Sequence, residues 1–432
     1  MPRLVSLALC AILVVAVGCS AENGHGTSKT DAAKVTKIEP GADAQTKLQE
    51  ALINAKPGEV VELAEGKYDF NQSVTLDAID GVTLRGAGPG KTVISYSQQI
   101  AGGGGEGILV TNCKNFAIEG LTIEDTRGDG IKTTKCDGVI YRNLLVQWTR
   151  GPHPDNGAYG VYPVLCQNVL IEDCKVTDCS DAGVYVGQSK NCIVRRCHAE
   201  RNVAGIEIEN TIGADVYDNV ATDNAGGLLI FSLPGLEQKT GSLCRCYKNQ
   251  VFANNHDNFA KPGNIVATVP PGTGMIIMAN DQVEIFDNDI KDNNTANISI
   301  ISYMATGVKK REELAKEDPG YDPYPEGIYI HDNRIADGGK NPGGDFGKAA
   351  SVILGKDFPD IIYDGVIDET KFVDGKPREE LRVVIVNNGN ADFANFNYAA
   401  IASGDVPKPS TDLTVHAGTL PPLPAITIPG VE

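Results

Sequence analysis

GILVTNC (107–113), GIKTTKC (130–136), GVYPVLC (160–166), GVYVGQS (183–189), GIEIENT (205–211) and GLLIFSL (227–233) are variants of one phrase. Their opening glycines lie 23, 30, 23, 22 and 22 residues apart. After a gap of 47 the phrase resumes as GMIIMAN (274–280), and NISIISY (297–303) follows 23 residues later. Between these phrases runs a second β-rich series that includes NVLIEDCKV, GADVYDNVA, QVEIFDNDI and GIYIHDNRI. A short-strand period near 22 predicts an all-β coil, because one turn cannot bury its apolar face alone and turns must stack. Abundant glycine (48) and scarce aromatics (6%) suit a narrow coil with many turns.

Alternation within each phrase separates an inside from an outside, since successive strand side chains point to opposite faces. Residues one and three after the glycine are mostly apolar, as in Val184/Val186 and Ile206/Ile208, and are expected inside. Residues two and four after it are expected outside. They place Lys132, Tyr162, Tyr185 and Glu207 on one exposed column over four coils, about 14 Å long at the strand spacing, with Glu209 beside it. That length matches a few sugar rings. Tyrosine offers a flat apolar face with a hydroxyl, and carboxylates or lysine can transfer protons or neutralise charge. In the second series Leu121, Asn143, Cys174, Cys197, Asn219, Asn249, Asn288 and Asn333 fall on one column, which predicts a structural amide ladder with left-handed turns.

Insertions at 150–158, 234–243, 256–273 and 304–326 all fall at the borders of the phrase strands. Insertions on a repeat scaffold gather on the functional face, so this sheet is expected to floor a walled groove. The 234–243 and 256–273 loops are expected to cover its apolar far end, Leu229, Phe231, Ile276 and Met278. The first insertion adds Arg150, His153, Asp155, Asn156 and Tyr159 next to Trp148 and Tyr162. Histidine as a residue type suits proton transfer near neutral pH, which makes His153 a candidate, and Arg150 can pair a carboxylate bidentately. No cofactor is required by this set; Asp125, Asp129 and Asp155 form an oxygen group suited to calcium.

At the N-terminus a single Arg3, an apolar run Leu4–Val17 and small residues before Cys19 read as a secretion signal. The run is too short for a membrane span. The expected organisation is a signal peptide over 1–18, a lipidated tether over 19–42, the coil over 43–340, and irregular terminal coils with a tail over 341–432. DAQTKLQEALINAK (43–56) predicts a helix capped by Asp43 that closes the open end of the stack. Removing 1–18 takes one of 38 basic side chains, against 56 acidic, and moves the formal charge from −18 to −19. Nucleic acid, which needs a basic footprint, is excluded as a partner. Cleavage and lipidation leave nine of eleven cysteines. Cys113, Cys136 and Cys166 share one repeat position, where either disulfides or a column of buried thiols fits.

With these phrases and the turns Asp218-Asn219, Asp287-Asn288 and Asp332-Asn333, the sequence resembles the right-handed parallel β-helix superfamily, the pectin-lyase-like fold. It is most similar to the repeat family of periplasmic mannuronan C5-epimerases and copper-maturation β-helix proteins, and to bacterial β-helix lipoproteins. The resemblance covers roughly residues 45–340 and implies a single-stranded right-handed parallel β-helix of about 9–11 coils. The lipoprotein resemblance makes Cys19 the lipidated residue of an envelope protein, and Ser20 resembles an outer-membrane sorting residue; the membrane is then a partner through the lipid alone. The epimerases carry Asp-Pro-His-Asp before a phrase, its His being the proposed base. Here Gly151-Pro152-His153-Pro154-Asp155 precedes Gly160, which departs from that pattern at Gly151 and Pro154.

Two functional readings follow. In one, an acidic, uronate-like polysaccharide lies along Lys132–Glu209 and loses its C5 proton, giving epimerisation or β-elimination. His153, Asp155, Tyr162 and Lys132 carry that chemistry, and Arg150, Tyr159, Tyr185, Glu207, Glu209 and Trp148 hold the substrate. In the other, the coil is a non-catalytic carbohydrate-binding protein or a scaffold that docks an exported protein through its loops.

Overall fold

The computed structural model describes residues 34–307, 311–344, 347, 348, 351, 358–398, 400 and 408–431. Cys10 and Cys19, and with them the expected signal peptide and lipidation site, lie outside the described residues. Each phrase forms one strand of an eleven-stranded, all-parallel sheet that runs from Val74–Asp77 to Phe393–Asn395. The two remaining faces of the coil merge into a twenty-stranded sheet, because Lys114–Glu124 and Asp137–Gln147 each run through the corner between them. One turn is therefore a phrase strand (Ala182–Gly187), a second strand (Lys190–Arg195) and a short third (His198–Glu200), after which Ala204–Glu209 returns beside the first.

The expected alternation holds. Ile108, Val110, Ile131, Val161, Val184, Val186, Ile206, Ile208, Leu228 and Ile230 are at most 1% exposed and fill the coil interior. Burying each such side chain contributes about 1.5–3 kcal/mol against the entropy of ordering it. Thr133 takes an interior position, where its hydroxyl meets the buried Tyr141 hydroxyl at 2.7 Å. Nine cysteines are also interior, free and buried, so the cysteine columns are thiols rather than bridges.

The amide ladder forms from Asn219 and continues one coil past Asn333. Asn219, Asn249, Asn288 and Asn333 each donate from Nδ2 to the Oδ1 of the next, ending on Asn388, at 2.9–3.0 Å. A second ladder of Asn202, Asn224, Asn254 and Asn293 runs parallel to it. Two details differ from expectation. Asn143 is exposed with φ 50°, and register pairs Leu144, not Asn143, with Leu121. The left-handed residue is the one before the ladder, Asp218, Asp287 and Asp332 (φ 53–55°), because the backbone must turn before it presents the amide inward.

The ends also differ. Residues Val35–Ile38, expected within the tether, form the first strand and pair with Val60–Leu63. The capping helix forms over Ala44–Ile53 and buries Ala44, Leu48 and Leu52, but Asp43 makes no side-chain cap. Its carboxylate pairs with Lys47 at 2.8 Å instead. Beyond residue 340, Ile361–Tyr363, Val383–Val386 and Phe393–Asn395 continue the faces of the coil.

Candidate functional site

The outward side chains of the phrase sheet form two contrasting stretches. Toward the N-terminal coils the face is half-open. Lys132 lies with its ammonium 4.8 Å from the Tyr162 ring centroid, 3.7 Å from Asp129 and 3.9 Å from Glu106. Tyr159, Tyr162 and Tyr185 pack on one another with ring centroids 4.5–4.8 Å apart. Gly187 makes room for this cluster: a Cβ there would stand 2.3 Å from the Tyr185 ring. Burial raises the Asp129 carboxyl to about 6, against the opposing pull of Lys132.

From Tyr185 onward the face is enclosed. The expected exposed column is therefore corrected: Tyr185, Glu207 and Glu209 are 5%, 2% and 6% exposed. The segment 256–273, expected to cover only Leu229, Phe231, Ile276 and Met278, lines one cavity with these and also with Tyr185, Glu207 and Glu209 through its Val266 and Val269. A second cover comes from residues 302–307 and 311–326, whose Tyr303, Leu314 and Tyr321 belong to the same apolar cluster. The 234–243 loop anchors this cover: the Gly235 backbone N–H donates to Asp318 at 2.7 Å and Lys239 pairs with Asp318 at 2.8 Å.

Beneath these covers is a cavity of about 330 Å³. Its floor is Leu229, Phe231, Ile276 and Met278, continued by Ser299 and Ile301. Asp181, Glu207 and Glu209 line one end beside Tyr159 and Tyr185, and Asp364 and Tyr398 line the other. Burial, reinforced by the charge of Asp181, raises Glu209 to about 8 and Glu207 well above the usual range. Burial likewise lifts Asp181 to about 7, partly offset by hydrogen bonding to Tyr159.

The first insertion is organised by interior contacts. Trp148 is 3% exposed and its indole N–H donates to the Thr126 carbonyl at 2.7 Å. It is a core anchor and is not available to substrate. A Cβ on Gly157 would stand 1.7 Å from the Gly128 carbonyl oxygen and 2.5 Å from Trp148, so the loop lies tightly on the preceding coil. Arg150 donates to Asn156 at 2.5 Å. The half-exposed His153 accepts from the Asp155 backbone N–H at 3.1 Å, and Asp155 pairs with Lys261 at 3.2 Å. Lysine thereby holds the Asp155 carboxyl below its usual range. The contacts that join Lys132 to Tyr162 and Tyr162 to Tyr159 and Tyr185 do not extend to His153 or Asp155.

The calcium group does not assemble. Asp125 accepts from Thr149, Asp129 faces Lys132 and Asp155 faces Lys261. Among the described residues the acid ligand atoms that lie within 4.8 Å of one another belong to Asp281, Asp322 and Glu326. There the Lys371 ammonium already bonds Asp322 at 2.5 Å and Glu326 at 2.6 Å.

Three members of the site escaped the alternation argument: Glu106, Asp129 and Asp181. Glu106 and Asp129 stand directly before a phrase glycine, as Tyr159 does, and Asp181 stands two residues before Gly183; that position is the sequence signal.

The model of the right handed beta helix region matches residues 80–235 and 155–352. The chain belongs to this right-handed β-helix family. Similar solved β-helix structures include the Azotobacter vinelandii mannuronan C-5 epimerase AlgE4 A-module, at 17% identity and TM-score 0.50, over 77% of this chain and 88% of that one. The AlgE6 A-module of the same organism gives 18% identity and TM-score 0.46, over 78% and 80%. An alginate lyase from Paenibacillus sp. str. FPU-7 gives 17% and 0.43, over 62% and 91%. No curated protein sequence matches this β-helix chain.

Proposed function

We propose that this β-helix protein binds an acidic, uronate-type polysaccharide on the half-open stretch around Lys132 and Tyr162, and abstracts the C5 proton of a bound ring. The observation that carries the reading is the convergence of Lys132, Asp129 and Tyr162, a cation, a near-neutral acid and an aromatic hydroxyl, on one uncovered part of the face. Lys132 pairs with the substrate carboxylate and lowers the cost of the charge that develops when C5–H breaks. Asp129, as carboxylate, takes that proton; its raised pKa suits a base working near neutral pH. Charge passes into the carboxylate group, and either Tyr162 returns a proton to C5 from the other side or the C4–O bond breaks and the leaving oxygen is protonated. Tyr159 and Tyr185 support the Tyr162 ring. Export and lipid anchoring through Cys19 complete the reading and place the substrate in the cell envelope.

The fold is compatible with this chemistry, since the AlgE4 A-module that shares it is a mannuronan C-5 epimerase. The second reading, binding without turnover, draws on the loop, where His153 and Asp155 are committed to each other and to Lys261. One experiment separates them. The protein is incubated with alginate and polygalacturonate in deuterated buffer, and ring-proton exchange and unsaturated-product absorbance are followed. Exchange that is lost in Asp129→Asn supports the enzyme; binding without exchange in the wild type sinks it.

A further inference from the structure

The enclosed cavity is distinct from the open stretch in chemistry. A sugar polymer needs hydrogen-bond partners along its length, and the floor from Leu229 to Ile301 offers Ser299 alone. Polar groups gather at the ends instead. Asp181, Glu207 and Glu209 line one end, and no lysine or arginine among the described residues pairs with them. Glu207 is 2% exposed and Glu209 6%. Among the described residues neither carboxyl has a hydrogen-bond or ion-pair partner, although both border empty space. Buried carboxyls without partners are costly and uncommon. Here the missing partner has a cavity of about 330 Å³ to occupy, within the range of small-molecule sites.

We propose that this cavity binds an organic amine with an apolar body, its ammonium seated at Glu207 and Glu209 and its body laid over Leu229, Phe231, Ile276 and Met278. The ammonium supplies the counter-charge that the carboxyls lack, and the neighbouring Tyr159 and Tyr185 rings favour a cation further. An alcohol of the same shape leaves the acids uncharged, and a carboxylate brings an anion into a cavity that no lysine or arginine lines. The groups that face Glu207 and Glu209 are Asp181, Tyr159, Tyr162 and Tyr185. The Lys132 ammonium lies beyond Tyr162, nearest to Asp129 (3.7 Å) and Glu106 (3.9 Å). Because burial keeps the empty acids protonated near neutral pH, binding of an ammonium ionises at least one of them and releases a proton. A pocket lined by Leu233, Pro234, Asn264 and Tyr303 shares Ile265 and Thr268 with the cavity and offers a route to it between the two covers.

The test is calorimetric titration of the purified protein with phenylbutylamine, phenylbutanol and phenylbutyrate, in two buffers of different ionisation enthalpy. The amine is expected to bind one site about tenfold more tightly than the alcohol, with butyrate weaker still, and to release a proton. Glu207→Gln and Glu209→Gln, isosteric changes checked for folding by circular dichroism, are each expected to weaken the amine about tenfold and spare the alcohol. Ile276→Trp, which fills the floor, is expected to abolish binding of both. Equal affinity for amine and alcohol overturns the proposal. So does the absence of saturable amine binding, or wild-type amine affinity in both Gln variants.

Discussion

The Lys132 ammonium stands 4.8 Å from the centre of the Tyr162 ring while Asp129 and Glu106 flank it at 3.7 and 3.9 Å. The lysine is thus held over the open face by a ring on one side and two carboxylates on the other. Register explains the placement: Lys132 and Tyr162 are direct partners on adjacent strands. Replacing Lys132 with Met keeps the stem and removes the charge. Affinity for alginate or polygalacturonate, read by affinity electrophoresis, is expected to fall about 10- to 100-fold. Stability in urea is expected to change by less than about 1 kcal/mol, since exposed cation–ring contacts are weak.

Asn288 is fully buried and holds several backbone groups at once. It donates to the Cys246 and Phe286 carbonyls and to Asn333, and accepts from both nitrogens of Asn249. Asn288→Ala strands these groups without water. A loss of about 3 kcal/mol is expected from the urea midpoint, whereas the exposed Asn143→Ala is expected to cost less than about 1 kcal/mol.

Stability should pass through a maximum in mildly acid solution. Asp129, Asp181 and Glu209 have folded pKa values raised to about 6, 7 and 8. The folded state therefore binds more protons than the unfolded chain, and their favourable contribution is lost as pH rises from about 4 through about 8. Glu172 acts in the opposite sense. Burial alone would raise it, but Arg142, Arg195 and Arg196 outweigh burial and hold it at about 2. Its contribution is present above the unfolded value and is lost as pH falls from about 4.5 toward about 2. Melting temperature followed across pH is expected to decline on both sides, and Glu209→Gln is expected to flatten the alkaline limb alone.

The interior thiols give a chemical signature. Cys113, Cys136, Cys166, Cys174, Cys179, Cys192, Cys197, Cys244 and Cys246 are free and buried. In native protein a thiol reagent is expected to label none of them within minutes, and all nine after denaturation. Reductant is expected to leave the melting temperature unchanged; a fall would reveal a bridge.

The fold was legible because its signal is repetitive. Alternation in GVYVGQS and GIEIENT assigns Val184, Val186, Ile206 and Ile208 inward, and each is fully buried. The site was legible in part. The same alternation put Lys132, Tyr162, Tyr185, Glu207 and Glu209 on one face, but it describes a single coil and contains nothing about what later folds over it. Glu207 lines an enclosed cavity together with Val266, which arrives some sixty residues further along the chain, and with Ala305 and Thr306, later still. Trp148 misled for a related reason: a lone aromatic beside a polar loop reads as a contact residue until Thr126 and Gly157 claim it. Asn143 shows the limit of aligning by residue type, since the left-handed turn and the ladder position both tolerate asparagine and differ by one residue.

Ile206 and Leu228 are register partners across 22 residues, and Leu228 and Met275 are partners across 47 with no change of register. Length added at the border of this sheet is invisible to the stack. A single residue added within one of its strands would turn the rest of that strand inside out. Insertions and deletions at the border can therefore accumulate almost neutrally, and the protein can acquire, resize or discard a binding chamber while its melting behaviour stays nearly constant.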